Sequence, residues 1–135
     1  MFNQLFTELK GEMVAAALDK LPTESDLRAQ MLHVWSGWLR WATSCPEKRR
    51  TYAHLDVSDD VTAASHHVAT ETMASIAKLV ERSREHGPMR AVPLGFVVAL
   101  MSALADTTID FMIRDPATAD EHCIVAFDAM WRMVT

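Results

Sequence analysis

Two side chains that could bind a metal ion share one helix face. His67 and Glu71 stand four residues apart, with His66 beside them, and an i, i+4 pair projects from the same side of a helix. A zinc site needs three or four converging ligands. His33 or His54 could complete such a site only if the fold brought them close, because the sequence has no HExxH, ExxH or CxxC motif. Surface or pocket-lining histidines are therefore favoured, with a metal- or cofactor-binding helical bundle as the alternative.

Asp106 and Asp110 form a second i, i+4 pair. Paired carboxylates can perform acid–base chemistry or bind a cation. More often they line the polar margin of a helix or meet a basic residue on a neighbour, and this structural interpretation is favoured. A nucleophilic site would need a Ser or Cys beside a His and an orienting acid, and neither Cys45 nor Cys123 has such a motif. Nucleotide-binding and nucleophile-elbow motifs are also absent, so nothing indicates an enzyme or a bound cofactor.

Large, polarisable apolar residues are abundant. Trp35, Trp38 and Trp41 fall within seven residues, and the chain has nine methionines. Methionine adapts its shape to irregular apolar surfaces, and a buried indole N–H requires a hydrogen-bond partner. Ordinary core packing is the simpler interpretation, and the wall of an apolar ligand pocket is the second.

The composition limits the possible classes of protein. A chain of 135 residues with half of them apolar is expected to form one domain, residues 1–135, with a substantial core. A net charge of −5 provides no basic face for nucleic acid. Two cysteines without a framework pattern predict reduced thiols. No signal peptide and no membrane-spanning run of about 20 apolar residues is recognisable, so we expect a soluble, cytoplasmic protein.

The elements that position these residues are all predicted to be helices. Apolar residues recur at helical spacing between Pro, Gly and capping signals, which predicts about six helices and no strands. Capping boxes are predicted at Thr23 and Thr118. The predicted helices cover about residues 2–20, 27–43, 47–57, 62–85, 93–115 and 118–134.

The helix predicted near residues 92–115 is apolar around most of its circumference. One row of apolar residues contains Leu94, Val98 and Ile109, and a neighbouring row contains Val97 and Phe111. Such a helix must be covered on more than one side. The chain's own fold can cover one side, and we expect a second copy of the chain to cover the other.

Several segments, in order, resemble the C-terminal ligand-sensing part of TetR-family transcriptional repressors. Residues 2–13 resemble the helix that leaves the family's DNA-binding domain. Residues 35–50, WSGWLRWATSCPEKRR, are similar to the family's segment in which a helix is followed by Pro-Glu. Residues 106–116 and the ending FDAMWRMV resemble its last two helices. The match covers nearly the whole chain through loose patterns.

This resemblance implies a non-enzymatic effector-binding and dimerisation domain. It implies a symmetric homodimer through the last two helices and a small, largely apolar effector enclosed by the earlier ones. The first helix would relay binding to DNA-reading heads. The family's helix-turn-helix domain is not among these 135 residues, so we expect the preceding DNA-binding domain to be missing and this chain alone not to bind DNA.

Two sets of residues are the candidates for these roles. The expected ligand-binding residues are Trp35, Trp38, Leu39, Tyr52, His67, Met73, Phe96 and Met101. The expected dimer contacts are Leu94, Val98, Met101, Ile109, Met112, Ile124, Phe127 and Trp131.

Overall fold

A computed structural model describes all residues from 1 to 135 and contains only helices, which confirms the all-α prediction. A short 3₁₀ helix, Pro116–Thr118, joins the last two α-helices. The seven α-helices are α1 (Phe2–Leu18), α2 (Leu27–Ser44), α3 (Pro46–Asp56), α4 (Ala63–Thr72), α5 (Ala74–Ser83), α6 (Leu94–Arg114) and α7 (Ala119–Val134).

Local signals explain most helix starts, although both predicted capping boxes are wrong. Asp26, not Thr23, caps α2 by accepting a hydrogen bond from the Ala29 backbone N–H at 2.8 Å. Thr118 does not cap α7, because its hydroxyl donates instead to the Asp115 carboxylate at 2.8 Å. Pro46 occupies the first turn of α3, where a missing N–H costs nothing.

The predicted long helix from residue 62 to 85 is divided into α4 and α5 at Met73. The backbone there has ψ near 1°, outside the α-helical range. The Thr70 and Thr72 hydroxyls donate to the carbonyls four residues earlier, at 3.0 and 2.9 Å. Hydroxyl groups that bond back in this way can bend a helix, although the same bond from Thr108 leaves α6 unbroken.

Helix α2 lies at the centre of the fold, in contact with α1, α5, α6 and α7. Trp35 is 1% exposed, and its indole N–H donates to the Cys123 carbonyl of α7 at 3.1 Å. A smaller apolar cluster containing Phe6 and Leu55 lies apart from this core, beneath α1, α3 and α4.

Helix α1 crosses α2 at close range because Gly37 has no side chain. A β-carbon at residue 37 would lie 2.7 Å from the Ala16 carbonyl oxygen and 3.1 Å from the Ala17 α-carbon. Backbone atoms cannot give way as a flexible side chain can, so this glycine fixes the position of α1 against α2.

Helix α6 leaves apolar side chains uncovered. Its length and composition alone would suffice for a membrane span, and 33% of its most apolar window is buried. Core helices of soluble proteins pass the same test. Phe96 and Phe111 are 51% and 47% exposed, and Ile124 and Val125 of α7 are also exposed. We call these exposed apolar side chains the outer face of the α6–α7 pair.

Candidate functional site

A cavity of about 600 Å³ lies between helices α1 to α6. Twenty-one of its 29 lining residues are hydrophobic. Small-molecule sites typically have volumes of about 300 to 1,000 Å³ and mostly apolar walls with a few polar groups. The cavity therefore has the size and lining of a small-molecule pocket.

Aromatic and methionine side chains form most of the apolar wall. Trp35, Trp38 and Trp41 line it from α2, and the first two rings pack edge to face with centroids 5.9 Å apart. Four methionines also line it: Met13, Met31, Met73 and Met101. These flexible thioethers allow the wall to adapt to ligands of different shape.

Polar side chains from α1, α3 and α4 also line the cavity. Lys10 of α1 is only 9% exposed, and its Nζ donates to the Tyr52 hydroxyl at 3.1 Å. Phe6 stacks on the Tyr52 ring at 5.2 Å, and His66 packs edge-on against Phe6 at 4.9 Å. These contacts hold the ammonium and phenol groups side by side at the cavity wall.

Burial changes the proton affinities of this pair. Burial lowers the pKa of Lys10 to about 8, and the negative charge of Asp56 opposes this effect. Burial also raises the pKa of Tyr52, assisted by the carboxylates of Asp56 and Asp106. Near neutral pH the cavity thus contains an ammonium donor beside an un-ionised phenol.

Arg49 of α3 pairs with both carboxylates of the aspartate pair on α6. Its guanidinium contacts Asp110 Oδ1 at 2.9 Å and Asp106 Oδ1 at 3.4 Å, and it donates to the Asp106 carbonyl at 3.2 Å. The two aspartates therefore meet a basic residue on a neighbouring helix, as the structural interpretation of the sequence expected. The contact joins α3 to α6 at the cavity rim.

Five of the eight residues expected to bind ligand line the cavity, namely Trp35, Trp38, Tyr52, Met73 and Met101. Leu39, His67 and Phe96 do not. Leu39 is fully buried in the core, and Phe96 is half exposed on the outer face. His66 lines the cavity in place of His67, because successive helical residues point about 100° apart.

His67 and Glu71 do not form part of a larger metal-ligand cluster. Their side chains contact each other on the exposed surface, with Nε2 and Oε1 2.9 Å apart. No group of three or more His, Cys, Asp or Glu side chains in the chain is arranged to hold a metal ion. The metal-binding alternative therefore gains no support from the geometry.

Most residues expected at the dimer interface face the interior of the chain. Met101, Ile109, Met112 and Phe127 are at most 7% exposed, and Leu94 and Val98 line the cavity. Trp131 is partly buried and stacks on Phe127 at 6.1 Å. Of this set, Ile124 is the residue with a largely exposed side chain, at 46%. The sequence analysis therefore placed at the dimer interface an apolar row of α6 that faces the interior of the chain.

Sequence reasoning missed the polar residues of the cavity, especially Lys10, Arg49 and Asp56. One signal for Lys10 was available. It stands four residues after Phe6 and next to Leu9, within the apolar stripe of an amphipathic helix. A lysine in such a stripe is buried or must extend its ammonium to solvent.

Comparison with known proteins identifies the fold. No protein-family model matches the sequence. The chain is similar to a crystal structure described as that of a TetR-family transcription regulator from Shewanella sp. PV-4, with a TM-score of 0.83 and 19% sequence identity. The superposition covers 96% of this chain and 71% of that chain. The resemblance seen in the sequence is thus confirmed for the fold, a TetR-like helical bundle.

Proposed function

We propose that this chain is the effector-sensing and dimerisation domain of a TetR-like transcriptional repressor, and that it binds a small, largely apolar molecule. The observation that supports this function most directly is the cavity of about 600 Å³ lined by α1 to α6. The fold similarity to a protein described as a TetR-family regulator supports the same class. The proposed protein is cytoplasmic and is not an enzyme.

Helix α1 is suited to relay occupancy of the cavity. Phe6, Lys10, Met13 and Val14 of α1 form part of the wall, so a bound molecule contacts this helix directly. In the proposed mechanism, ligand favours one position of α1 over another and thereby changes the spacing of DNA-binding heads that lie outside these 135 residues. Ligand can shift this equilibrium only by its difference in affinity for the two positions.

The outer face of α6 and α7 is the proposed dimer interface. Apolar residues recur along the outside of α6. Phe96, Ala103 and Phe111 are exposed there, and Leu100 is partly buried. Exposed apolar patches of this kind mark association surfaces. A second copy packed through the same two helices would form a four-helix arrangement. This surface replaces the inner row that the sequence suggested.

Filling the cavity tests the proposed function. Val98 lines the cavity from α6, so Val98→Trp should obstruct it, whereas Val68→Trp places the same side chain on a half-exposed position of α4 outside it. We expect the neutral fluorescent probe N-phenyl-1-naphthylamine to bind the wild type and the Val68→Trp variant, and to bind the Val98→Trp variant at least about tenfold more weakly. Equal affinity for all three folded proteins would contradict a ligand site in this cavity.

A further inference from the structure

Lys10 is a buried cation whose hydrogen-bonding capacity is mostly unused within the chain. Its residue is 9% exposed, and the Tyr52 hydroxyl, 3.1 Å away, is its one hydrogen-bond partner. An ammonium group has three donors. Its charge is also close to the Tyr52 ring, with Nζ 5.3 Å from the centroid. Lys10 takes part in none of the chain's ion pairs.

The other charged groups around the cavity have partners elsewhere or remain hydrated. Arg49 of α3 is engaged by Asp106 and Asp110 of α6. Asp56 of α3 is half exposed, and its Oδ1 lies 4.0 Å from Nδ1 of His66 of α4. Lys10 is therefore the one cation lining the cavity that lacks a carboxylate at ion-pair distance.

A buried ammonium without a close counter-ion is unfavourable, because burial removes part of its hydration. The charge of Asp56, which lies beyond ion-pair distance of Lys10, offsets this cost only in part. The depressed pKa of Lys10 reflects this desolvation. An anionic group in the cavity would supply the missing charge and accept the remaining Nζ donors. Tyr52 would act with it, because its oxygen accepts from Lys10 and its hydroxyl hydrogen remains available to donate.

We infer that the ligand of this cavity is an organic anion, whose carboxylate is bound by Lys10 Nζ and the Tyr52 hydroxyl while its apolar body lies against the tryptophan and methionine wall. This inference rests on the proposed function, since it assigns the chemical class of the effector. It commits the site to an amphipathic acid, in preference to a neutral apolar molecule or a lipophilic cation. The aromatic rings, Asp56 and Asp106 provide the argument for a cation. However, Asp106 already pairs with Arg49, and Asp56 is half exposed to solvent.

Three probes with the same ten-carbon chain separate these possibilities. Decanoate, 1-decanol and decylammonium differ only in the charge of the head group, and calorimetric titration gives the affinity of each. We expect the wild type to bind decanoate at least about tenfold more tightly than 1-decanol, since charge-assisted hydrogen bonds are about twice as strong as neutral ones. Decylammonium should bind most weakly, because it meets the like charge of Lys10.

Variants assign the preference to the proposed groups. Lys10→Met should remove the preference for decanoate while the affinity for 1-decanol stays within about twofold, which also shows that the cavity is intact. Tyr52→Phe should reduce the preference by a smaller factor. Lys48→Met provides a matched control, because Lys48 pairs with Glu12 on the surface and does not line the cavity. Its affinities should equal those of the wild type.

The outcomes separate failure of the inference from failure of the proposed function. If decanoate and 1-decanol bind equally to the wild type, or if Lys10→Met keeps the preference, the cavity binds ligand but the anion assignment is wrong. Tighter binding of decylammonium would identify a cation site and overturn the inference. Binding of none of the three probes would contradict the proposed function and the inference together.

Discussion

Replacing Lys10 with methionine should stabilise the protein, although the substitution removes a hydrogen bond. Lys10 is buried and has no carboxylate within ion-pair distance, and the charge of Asp56 only partly offsets its burial. The folded state therefore holds a desolvated ammonium that the unfolded chain hydrates. Methionine has similar length and no charge. The ligand-free variant should therefore unfold at a higher denaturant concentration than the wild type near pH 7.

The size of the effect follows from the pKa of Lys10. Burial lowers this pKa from 10.5 to about 8, and each pKa unit corresponds to about 1.4 kcal/mol, which gives a penalty of about 3 kcal/mol on the charged folded state. The lost hydrogen bond to Tyr52 offsets about 1 kcal/mol of this. The free energy of unfolding should thus rise by about 2 kcal/mol.

The pH dependence distinguishes this cause from better packing. Because the folded-state pKa lies below the unfolded-state value, the unfolded chain binds more protons between about pH 8 and pH 10.5, and the wild type gains stability as the pH rises through that window. The methionine variant lacks this term. Its advantage should therefore shrink by roughly 2 kcal/mol between pH 7 and pH 9.5.

Urea unfolding followed by circular dichroism at several pH values measures both quantities. Lys48→Met is the control, since Lys48 is exposed and pairs with Glu12 at 3.0 Å, and it should give neither the gain near pH 7 nor its loss at higher pH. A Lys10→Met variant that is less stable than the wild type near pH 7 would refute the reasoning. So would a gain that does not change with pH.

Two further predictions concern helix packing and assembly. Gly37→Ala should lower the free energy of unfolding by about 1 to 3 kcal/mol, because its new methyl group meets the α1 backbone at 2.7 Å. Gly11→Ala is the control: no atom lies within 4 Å of the added β-carbon, so this substitution should raise the free energy of unfolding by about 0.5 to 1 kcal/mol. Urea unfolding measures both changes. Phe96→Glu with Phe111→Glu should convert a dimer into a folded monomer in sedimentation, since both rings lie on the exposed face. A dimer that persists in this double variant would place the interface elsewhere.

The fold was largely predictable because its signals are local. The helices can be predicted without reference to tertiary contacts. Pro46 marks the start of α3, Pro93 precedes α6, and apolar residues recur at helical spacing between these signals. The break at Met73 was not predictable, because the sequence pattern stays helical on both sides of it.

The direction of each side chain was the harder part. Helix α6 has two apolar rows, and periodicity alone does not show that Ile109 is buried while Phe111, two residues later, is exposed. For the same reason the sequence favoured His67 for the pocket, where the structure places His66. The hydrogen bond between Lys10 and Tyr52, 3.1 Å long, depends on how α3 packs against α1, and the sequence does not show this packing.

Native mass spectrometry of the protein purified from cells, and again after incubation with decanoate, tests the central claim most directly. The proposed function predicts a dimer that carries one organic molecule per subunit, either from the cell or after incubation. A protein that carries no added mass in both samples, despite a cavity of about 600 Å³, would contradict the proposal that this domain senses a small molecule.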